Sequence, residues 1–234
     1  MLFDPLYIAL FVVTLLISGG AQLYIKSTYG RWSRVPNSLG LSGAEVAAHL
    51  RDHARFGDQP GAHAVAQIKI VPGDLSDHFD PRDRSLGLSA GVANQPSVAA
   101  MAVAAHEVGH AQQHAEGTVF MKLRGALVPA ASIGPTIAYG LIFLGFIFQS
   151  TGFITLGALV FGIAVLFSVA TLPVEFGASR RALAMLETTG VMRSEQDRAG
   201  ARSMLTAAAM TYVAATVTSV LTLLYYLSLA RRSS

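Results

Sequence analysis

The sequence contains no cysteine, which excludes disulfide bonds and thiolate metal sites and fits a reducing compartment. Charged residues make up 13% of the 234 residues, about half the share that is usual in soluble proteins. The formal net charge of +3 is too small, and the basic residues are too scattered, for a nucleic-acid-binding surface. These absences argue against a soluble protein, a disulfide-stabilised protein and a nucleic-acid-binding protein.

Apolar residues dominate instead, with 52% of the chain hydrophobic and a mean hydropathy of +0.48. Four apolar segments are long enough to cross a bilayer: residues 6–26, 126–148, 152–172 and 205–229. We therefore predict a mainly α integral membrane protein with about four transmembrane helices. Its five parts are a first transmembrane helix (1–26), a membrane-adjacent region (27–125), a transmembrane hairpin (126–172), a helix with a linker (173–204), and a last transmembrane helix with its tail (205–234).

Residues 27–96 are the most polar part of the chain and predict a small α+β portion. The segment Ser42–Glu45 has the form of a capping box, which predicts a helix from there to about Gly57. Short strands are predicted at Gln67–Val71 and Ser85–Val92. Two such strands form a small sheet, whose edge can bind a substrate backbone by strand addition.

The stretch His106-Glu107-Val108-Gly109-His110 has the H-E-x-x-H pattern. We predict that it lies on a helix that begins near Pro96-Ser97 and ends at Gly117. Positions i and i+4 share one face of a helix, so both imidazoles can reach a single metal ion. Glu107, next to the first histidine, can act as the general base for an attacking water. Catalytic zinc needs three protein ligands, of which this helix supplies His106 and His110.

Two familiar sources of a third ligand do not fit this chain. No histidine follows His114, which is two helical turns, about 12 Å, from His106 and therefore too far away to share its zinc. An intramembrane aspartate is missing as well, because the one aspartate after the metal helix, Asp197, lies in a polar linker.

The downstream glutamates are the remaining candidates. Glu116 is at the wrong helical phase, and Glu187 and Glu195 have the setting of ordinary solvated charges. Glu175 directly follows the third apolar segment, where Pro173 is expected to begin a new helix. The hairpin returns the chain to the side of the membrane that it left, so Glu175 can meet both histidines. The alternative for Glu175 is a favourable charge at a helix N-terminus.

Three motifs resemble those of the YugP-type neutral zinc membrane metallopeptidases: H-E-V-G-H after an alanine-rich run, L-P-V-E-F-G-A-S-R-R-A-L after the hairpin, and D-H-F-D-P-R before both. The resemblance extends over nearly the whole chain. It also extends to the HtpX/Ste24-type membrane peptidases, whose third ligand lies in an E-x-x-x-D segment. The resemblance implies a zincin-like fold and a gluzincin-like Zn²⁺ site, with His106, His110 and Glu175 as ligands and Glu107 as base.

Two positions depart from the patterns of these families. Ser179 stands where the HtpX/Ste24 pattern has an aspartate that orients a zinc histidine, so this role is either weakened or taken by another residue. Gly177 stands where related YugP-type sequences usually carry Asn or Asp. Neither departure removes a metal ligand.

The basic residues indicate an orientation in the membrane. Apart from Arg231 and Arg232, they cluster on the side of segments 27–125 and 173–204, which the positive-inside rule places in the cytoplasm. We therefore predict a protein of the bacterial inner membrane with its active site facing the cytoplasm.

The combined prediction is a zinc-dependent endopeptidase acting on membrane or membrane-associated proteins. The predicted partners are polypeptide substrates and the lipid bilayer, without nucleic acid. His78, Arg180 and Tyr212 are candidates for oxyanion or substrate contacts by polarity and placement. One alternative is a non-catalytic assembly or adaptor protein on a peptidase-like scaffold, which has no need of Glu107. Another is an intramembrane protease, with His106 inside the bilayer.

Overall fold

A computed structural model describes residues 4–53, 55–56, 59–60 and 64–232. Within these residues the helices are α1 (Pro5–Trp32), α2 (Gly43–His53), α3 (Ala90–Asn94), α4 (Val98–Ala115), α5 (Val119–Ile147), α6 (Thr151–Thr188) and α7 (Glu195–Arg232). The strands are β1 (Arg55–Phe56), β2 (Gln59–Pro60), β3 (Gln67–Val71), β4 (His78–Asp80) and β5 (Ser85–Ser89). The predicted mainly α fold with a small sheet is confirmed.

Four helices, α1, α5, α6 and α7, are long and apolar enough to cross a membrane. Parts of them form a first compact unit made of Met1–Gln22, Lys122–Pro173 and Thr211–Ser234. Large apolar side chains on these helices face outward, with Leu16 68% and Leu166 63% exposed. Such exposure is unfavourable in water and favourable in lipid, so the expectation of four apolar spans is confirmed.

The expectation that Pro173 begins a new helix is wrong. Pro173 lies inside α6, which continues to Thr188. A proline removes one backbone N–H from a helix, and helices of membrane proteins tolerate this loss when neighbouring groups compensate. Glu175 therefore sits within an unbroken helix, which removes the alternative of a charge at a helix N-terminus.

The second compact unit consists of Leu23–Met121 and Val174–Met210. Its core surrounds α4, whose residues from Val98 to Ala111 are almost all buried. Side chains from the other elements pack into the same core: Val46 and Leu50 of α2, Leu86 and Leu88 of β5, Leu186 of α6, and Met204 of α7. Helix α4 is therefore a fixed support for the side chains that it carries.

A three-stranded sheet, in the order β3-β5-β4, belongs to this unit. β3 is parallel to β5, with Ile68 opposite Leu86, and β4 is antiparallel to β5, with Phe79 opposite Leu86. The strand predicted at Gln67–Val71 is confirmed. Strand β4 was not predicted from the sequence, because it is only three residues long.

Two predicted boundaries differ from the structure. The strand expected at Ser85–Val92 ends at Ser89, and helix α3 begins at the next residue. Ser89 donates both its backbone N–H and its hydroxyl to the carboxylate of Asp77, so its N–H is not available to extend the sheet. Helix α2 ends at His53, and Gly57, where its end was expected, lies outside the described residues.

Candidate metal centre

Helix α4 positions the two histidines. It is capped by Ser97, whose Oγ accepts a hydrogen bond from the N–H of Ala100 at 3.1 Å. It ends at Ala115 and is followed by Gly117 at a φ of 62°, so the predicted bounds of this helix are confirmed. The rings of His106 and His110 lie on the same face, with centroids 4.7 Å apart and planes at 83°.

Glu175 of α6 meets both histidines. Its Oε2 lies 3.2 Å from Nε2 of His106 and 3.4 Å from Nε2 of His110. One ligand atom from each of the three side chains lies within 4.8 Å of the others. His106, His110 and Glu175 are 8%, 7% and 1% exposed. The two nitrogens and the carboxylate oxygen therefore converge on one enclosed point.

This group has the chemistry and the spacing of a zinc site. Two imidazoles and one carboxylate are a common protein ligand set for catalytic zinc. In a tetrahedral site with bonds of about 2.0–2.1 Å, neighbouring ligand atoms lie roughly 3.3 Å apart. The Oε2–Nε2 distances of 3.2 and 3.4 Å match that value. The residue types and these two distances therefore fit a zinc ion.

Gly109 allows α4 and α6 to approach closely enough for this convergence. A Cβ at position 109 would lie 2.6 Å from the carbonyl oxygen of Ala178 and 3.2 Å from its Cα. Contacts this short with main-chain atoms are not possible without moving a helix. The glycine between the two histidines of the motif is thus required by the packing of the third-ligand helix.

Gln113 connects the two helices through its side chain. Its Oε1 lies 3.1 Å from Nδ1 of His110, and its Nε2 donates to the carbonyl oxygen of Val174 at 2.8 Å. With a proton on Nδ1, His110 donates to Gln113 and keeps its Nε2 lone pair for a metal. The same side chain therefore orients one histidine and fixes the backbone next to Glu175.

Ser179 occupies the corresponding place beside His106. Its Oγ lies 3.3 Å from Nδ1 of that histidine. The role of this position was left open by the sequence, and the structure shows that its contact with the histidine is kept. A neutral hydroxyl is a weaker acceptor than a carboxylate, so the interaction is retained in a weakened form.

Gly177 makes room for Gln113. A Cβ at position 177 would lie 2.5 Å from Nε2 of Gln113. Glycine at position 177 therefore leaves the space that the side-chain amide of Gln113 occupies.

Glu107 is buried beside the convergence point, with 7% of its surface exposed. Its carboxylate has no hydrogen bond or ion pair within the part of the chain that the structure describes. Burial raises the pKa of Glu107 to about 7, the charge of Glu175 adds to this rise, and His106 opposes it. A carboxyl group with a pKa near neutrality suits proton transfer in both directions.

The three candidates for oxyanion or substrate contacts have different settings. His78 is on β4, where its Nδ1 lies 2.8 Å from the carbonyl oxygen of Ser76, and its charge lowers the pKa of Glu107. Arg180 is exposed on α6 and lines a groove with Ser179. Tyr212 belongs to the first compact unit, whereas the metal-ligand group belongs to the second.

Acidic residues that sequence analysis rejected as ligands have structural partners. Glu116 pairs with Arg181 at 2.6 Å. Asp197 is 1% exposed, and its carboxylate accepts backbone N–H groups of Ser38, Arg193 and Ser194. It holds the beginning of α7 against the loop before α2, so its burial is explained by hydrogen bonding.

The chain matches the model of one protein family over nearly its whole length. The model of the family described as "Putative neutral zinc metallopeptidase" matches residues 7–231. The chain belongs to this family. Among curated proteins, it is 38% identical over 221 residues to the "Putative membrane protease YugP" of Bacillus subtilis (strain 168), an alignment that covers 94% of this chain and 95% of the relative. No solved structure matches the chain.

Three residues around the ligand group of this zinc metallopeptidase family member were missed by sequence analysis as contributors to the site: Gly109, Gln113 and, as a packing requirement, Gly177. The spacing of Gln113 is a signal that was available, because a residue three positions after His110 lies beside it on a helix. The contacts of Gly109 with Ala178 and of Gly177 with Gln113 join residues more than 60 positions apart. No periodicity in a single sequence reports such contacts.

Proposed function

We propose that the protein is a zinc-dependent endopeptidase with a gluzincin-like site, in which His106, His110 and Glu175 hold the metal and Glu107 is the general base. One observation carries the proposal: three buried side chains of the correct types converge within 4.8 Å. They do so beside a fourth, acidic side chain whose pKa lies near 7. The family of zinc metallopeptidases to which the chain belongs supports the same activity.

Each residue of the site has a defined task in this proposal. Zinc, when bound, polarises the scissile carbonyl and increases the acidity of an attacking water. Glu107 takes the proton of that water and delivers it to the leaving amine, which requires a group that can be both base and acid near neutral pH. Gln113 and Ser179 hold the imidazoles of His110 and His106 with Nε2 directed at the metal.

A peptide substrate is proposed to lie in extended form along an edge of the β3-β5-β4 sheet, where backbone groups of a strand can pair with it. β4 is one edge strand and carries His78. Its charge lowers the pKa of Glu107, which supports a position of the imidazole near the base. We therefore favour His78 over Arg180 and Tyr212 as the group that contacts the oxyanion or the substrate.

The proposed substrates are membrane or membrane-associated proteins cleaved at the cytoplasmic face of the bacterial inner membrane. The four apolar helices support a membrane location, and the relative from Bacillus subtilis is named a membrane protease. The distribution of basic residues supports the cytoplasmic orientation. A cysteine introduced at His114, which is exposed near the end of α4, should react with a membrane-permeant thiol reagent and not with an impermeant one added outside cells. Labelling by the impermeant reagent would reverse the orientation.

Glu107→Gln is the decisive variant. It removes the base and keeps the shape of the side chain, so the purified protein should retain one zinc per chain and lose proteolysis of a casein or membrane-protein substrate. Undiminished cleavage by this variant would refute the assignment of Glu107. A wild-type protein that binds zinc and cleaves nothing would favour the non-catalytic scaffold.

The third ligand is tested separately. Glu175→Ala should lower the zinc content measured by mass spectrometry to a small fraction of one per chain, because two histidines alone bind zinc weakly. Glu187→Ala is the matched control, since this glutamate is exposed and pairs with Arg198. Full zinc occupancy in Glu175→Ala would assign the third ligand to another residue.

A further inference from the structure

A groove lies between α6 and the N-terminal part of α7, entirely within the second compact unit. Its volume is about 360 Å³. Its walls are mainly apolar and carry two arginines: Phe176, Arg180 and Leu183 from α6, and Arg202, Leu205 and Met210 from α7. The combination of an apolar channel with two cations fits a ligand that has an anionic head and an apolar tail.

The two arginines of the groove have no acidic partner. Arg180 and Arg202 are exposed, and neither forms a hydrogen bond or an ion pair with the residues that the structure describes. Their neighbours on the same helices do: Arg181 pairs with Glu116 at 2.6 Å, and Arg198 pairs with Glu187 at 2.9 Å. The positive charge that faces the groove is therefore not neutralised by these acidic side chains.

The position of the two arginines along the chain places them near a membrane surface. Residues 151–174 of α6 and 203–230 of α7 contain no charged residue. Arg202 directly precedes the second of these runs, and Arg180 is the first basic residue after the first run. Arginine side chains at such boundaries reach the headgroup layer and attract anionic lipids. Phe176 and Met210 are the lining residues closest along the chain to the parts of α6 and α7 that belong to the first compact unit.

We propose that this groove binds one anionic phospholipid, with its phosphodiester between Arg180 and Arg202 and one acyl chain along Phe176 and Met210. Guanidinium groups pair with a phosphodiester through two parallel hydrogen bonds. A zwitterionic headgroup has the same phosphodiester but adds an ammonium charge, which the two arginines repel, so an anionic headgroup is favoured. The apolar wall excludes water from the first part of the acyl chain.

The groove is not the place where the peptide bond is cleaved. It meets the metal centre through Ser179, whose Oγ faces Nδ1 of His106. The ligand group forms on the other ring nitrogen, Nε2. A molecule in the groove therefore contacts Ser179, on the Nδ1 side of His106, and not the Nε2 side where the ligand group forms. This position favours a lipid over a substrate as the occupant of the groove.

Native mass spectrometry of the purified full chain tests the proposal. The Glu107→Gln protein is used, so that the result does not depend on the proposed peptidase activity. Phosphatidylglycerol should bind to one site more tightly than phosphatidylcholine with the same acyl chains. Arg180→Gln and Arg202→Gln should each weaken phosphatidylglycerol binding about tenfold or more, as expected for the loss of a charge-assisted hydrogen bond.

Two matched variants separate the groove from general attraction to charge. Arg34→Gln removes an exposed arginine near the end of α1 and should leave binding within about twofold. Thr206→Trp keeps both arginines but fills the groove at an exposed lining position, and should weaken binding as much as the arginine variants.

The proposal is overturned by equal binding of the two lipids, by an equal loss in Arg34→Gln and Arg180→Gln, or by unchanged binding in Thr206→Trp. It is also overturned if the arginine variants, made in a protein that keeps Glu107, raise the KM for an acidic peptide while phosphatidylglycerol binding is unchanged. That last result would assign the groove to the substrate.

Discussion

The side-chain amide of Gln113 donates a hydrogen bond to the main-chain carbonyl of Val174, with 2.8 Å between Nε2 and the oxygen. Gln113 is three residues after His110, a candidate metal ligand, and Val174 directly precedes the third candidate ligand, Glu175. The same glutamine lies 3.1 Å from Nδ1 of His110. One buried side chain therefore sets the distance between the two helices that build the site.

Replacing Gln113 by leucine should weaken zinc binding by roughly 10- to 100-fold, the usual effect of losing a hydrogen-bond partner of a metal ligand. The substitution also leaves the Val174 carbonyl without its amide donor. Competition with a chelator measures the affinity. Gln67→Leu makes the same change at an exposed position of β3 and should have no effect. Equal affinities for the two variants would contradict the role of Gln113.

Gly109→Ala should separate α4 from α6, because its Cβ would lie 2.6 Å from the Ala178 carbonyl oxygen. We expect a zinc content well below one per chain together with a lower thermal unfolding temperature. Gly30→Ala is the control, since a Cβ there meets no atom within 4 Å. Alanine at that helical position should be neutral or slightly stabilising. Normal zinc content in Gly109→Ala would show that the helices can adjust.

Ser179→Asp should strengthen zinc retention, because a carboxylate is a stronger acceptor for the Nδ1–H of His106 than a hydroxyl. Ser179→Ala should weaken retention, by up to about tenfold. In excess chelator, zinc should therefore dissociate more slowly from Ser179→Asp than from the wild-type protein, and more slowly from the wild-type protein than from Ser179→Ala. Any other order would mean that the 3.3 Å contact with His106 does not support the metal site.

Asp197→Ala should lower the free energy of unfolding by about 2–4 kcal/mol, because three backbone N–H groups lose a charged acceptor. Asp197→Asn keeps one oxygen and should cost less. Chemical denaturation in detergent gives the values, with Asp74→Ala, at an exposed position, as the control. Loss of activity by Asp197→Ala without loss of stability would instead indicate a direct catalytic role.

The grouping of His106, His110 and Glu175 was predictable from the sequence, because residue types and spacing carry the information. The H-E-x-x-H pattern fixes His106 and His110 on one helical face, and elimination of other acids left Glu175. The four long helices followed from the lengths of the apolar segments. These inferences use local patterns or the scarcity of a residue type, both of which one chain reveals.

Features that depend on contacts between distant segments were not predictable. The continuation of α6 through Pro173 contradicts the local preference of proline, because a long helix tolerates the loss of one N–H. The end of β5 at Ser89 depends on Asp77, 12 residues away. Strand β4 is too short for alternation to be visible.

The space that Gln113 occupies beside Gly177 has a consequence for how the family varies. A side chain at position 177 and the glutamine at position 113 compete for the same volume, so a side chain at position 177 requires the glutamine to move or to be replaced. Relatives with Asn or Asp at position 177 should therefore carry a residue smaller than glutamine at position 113. In these relatives the side chain at position 177 can contact the histidine at position 110 in place of the glutamine. The two positions should vary together as a pair across an alignment of relatives, and independent variation would show that the backbone absorbs the difference.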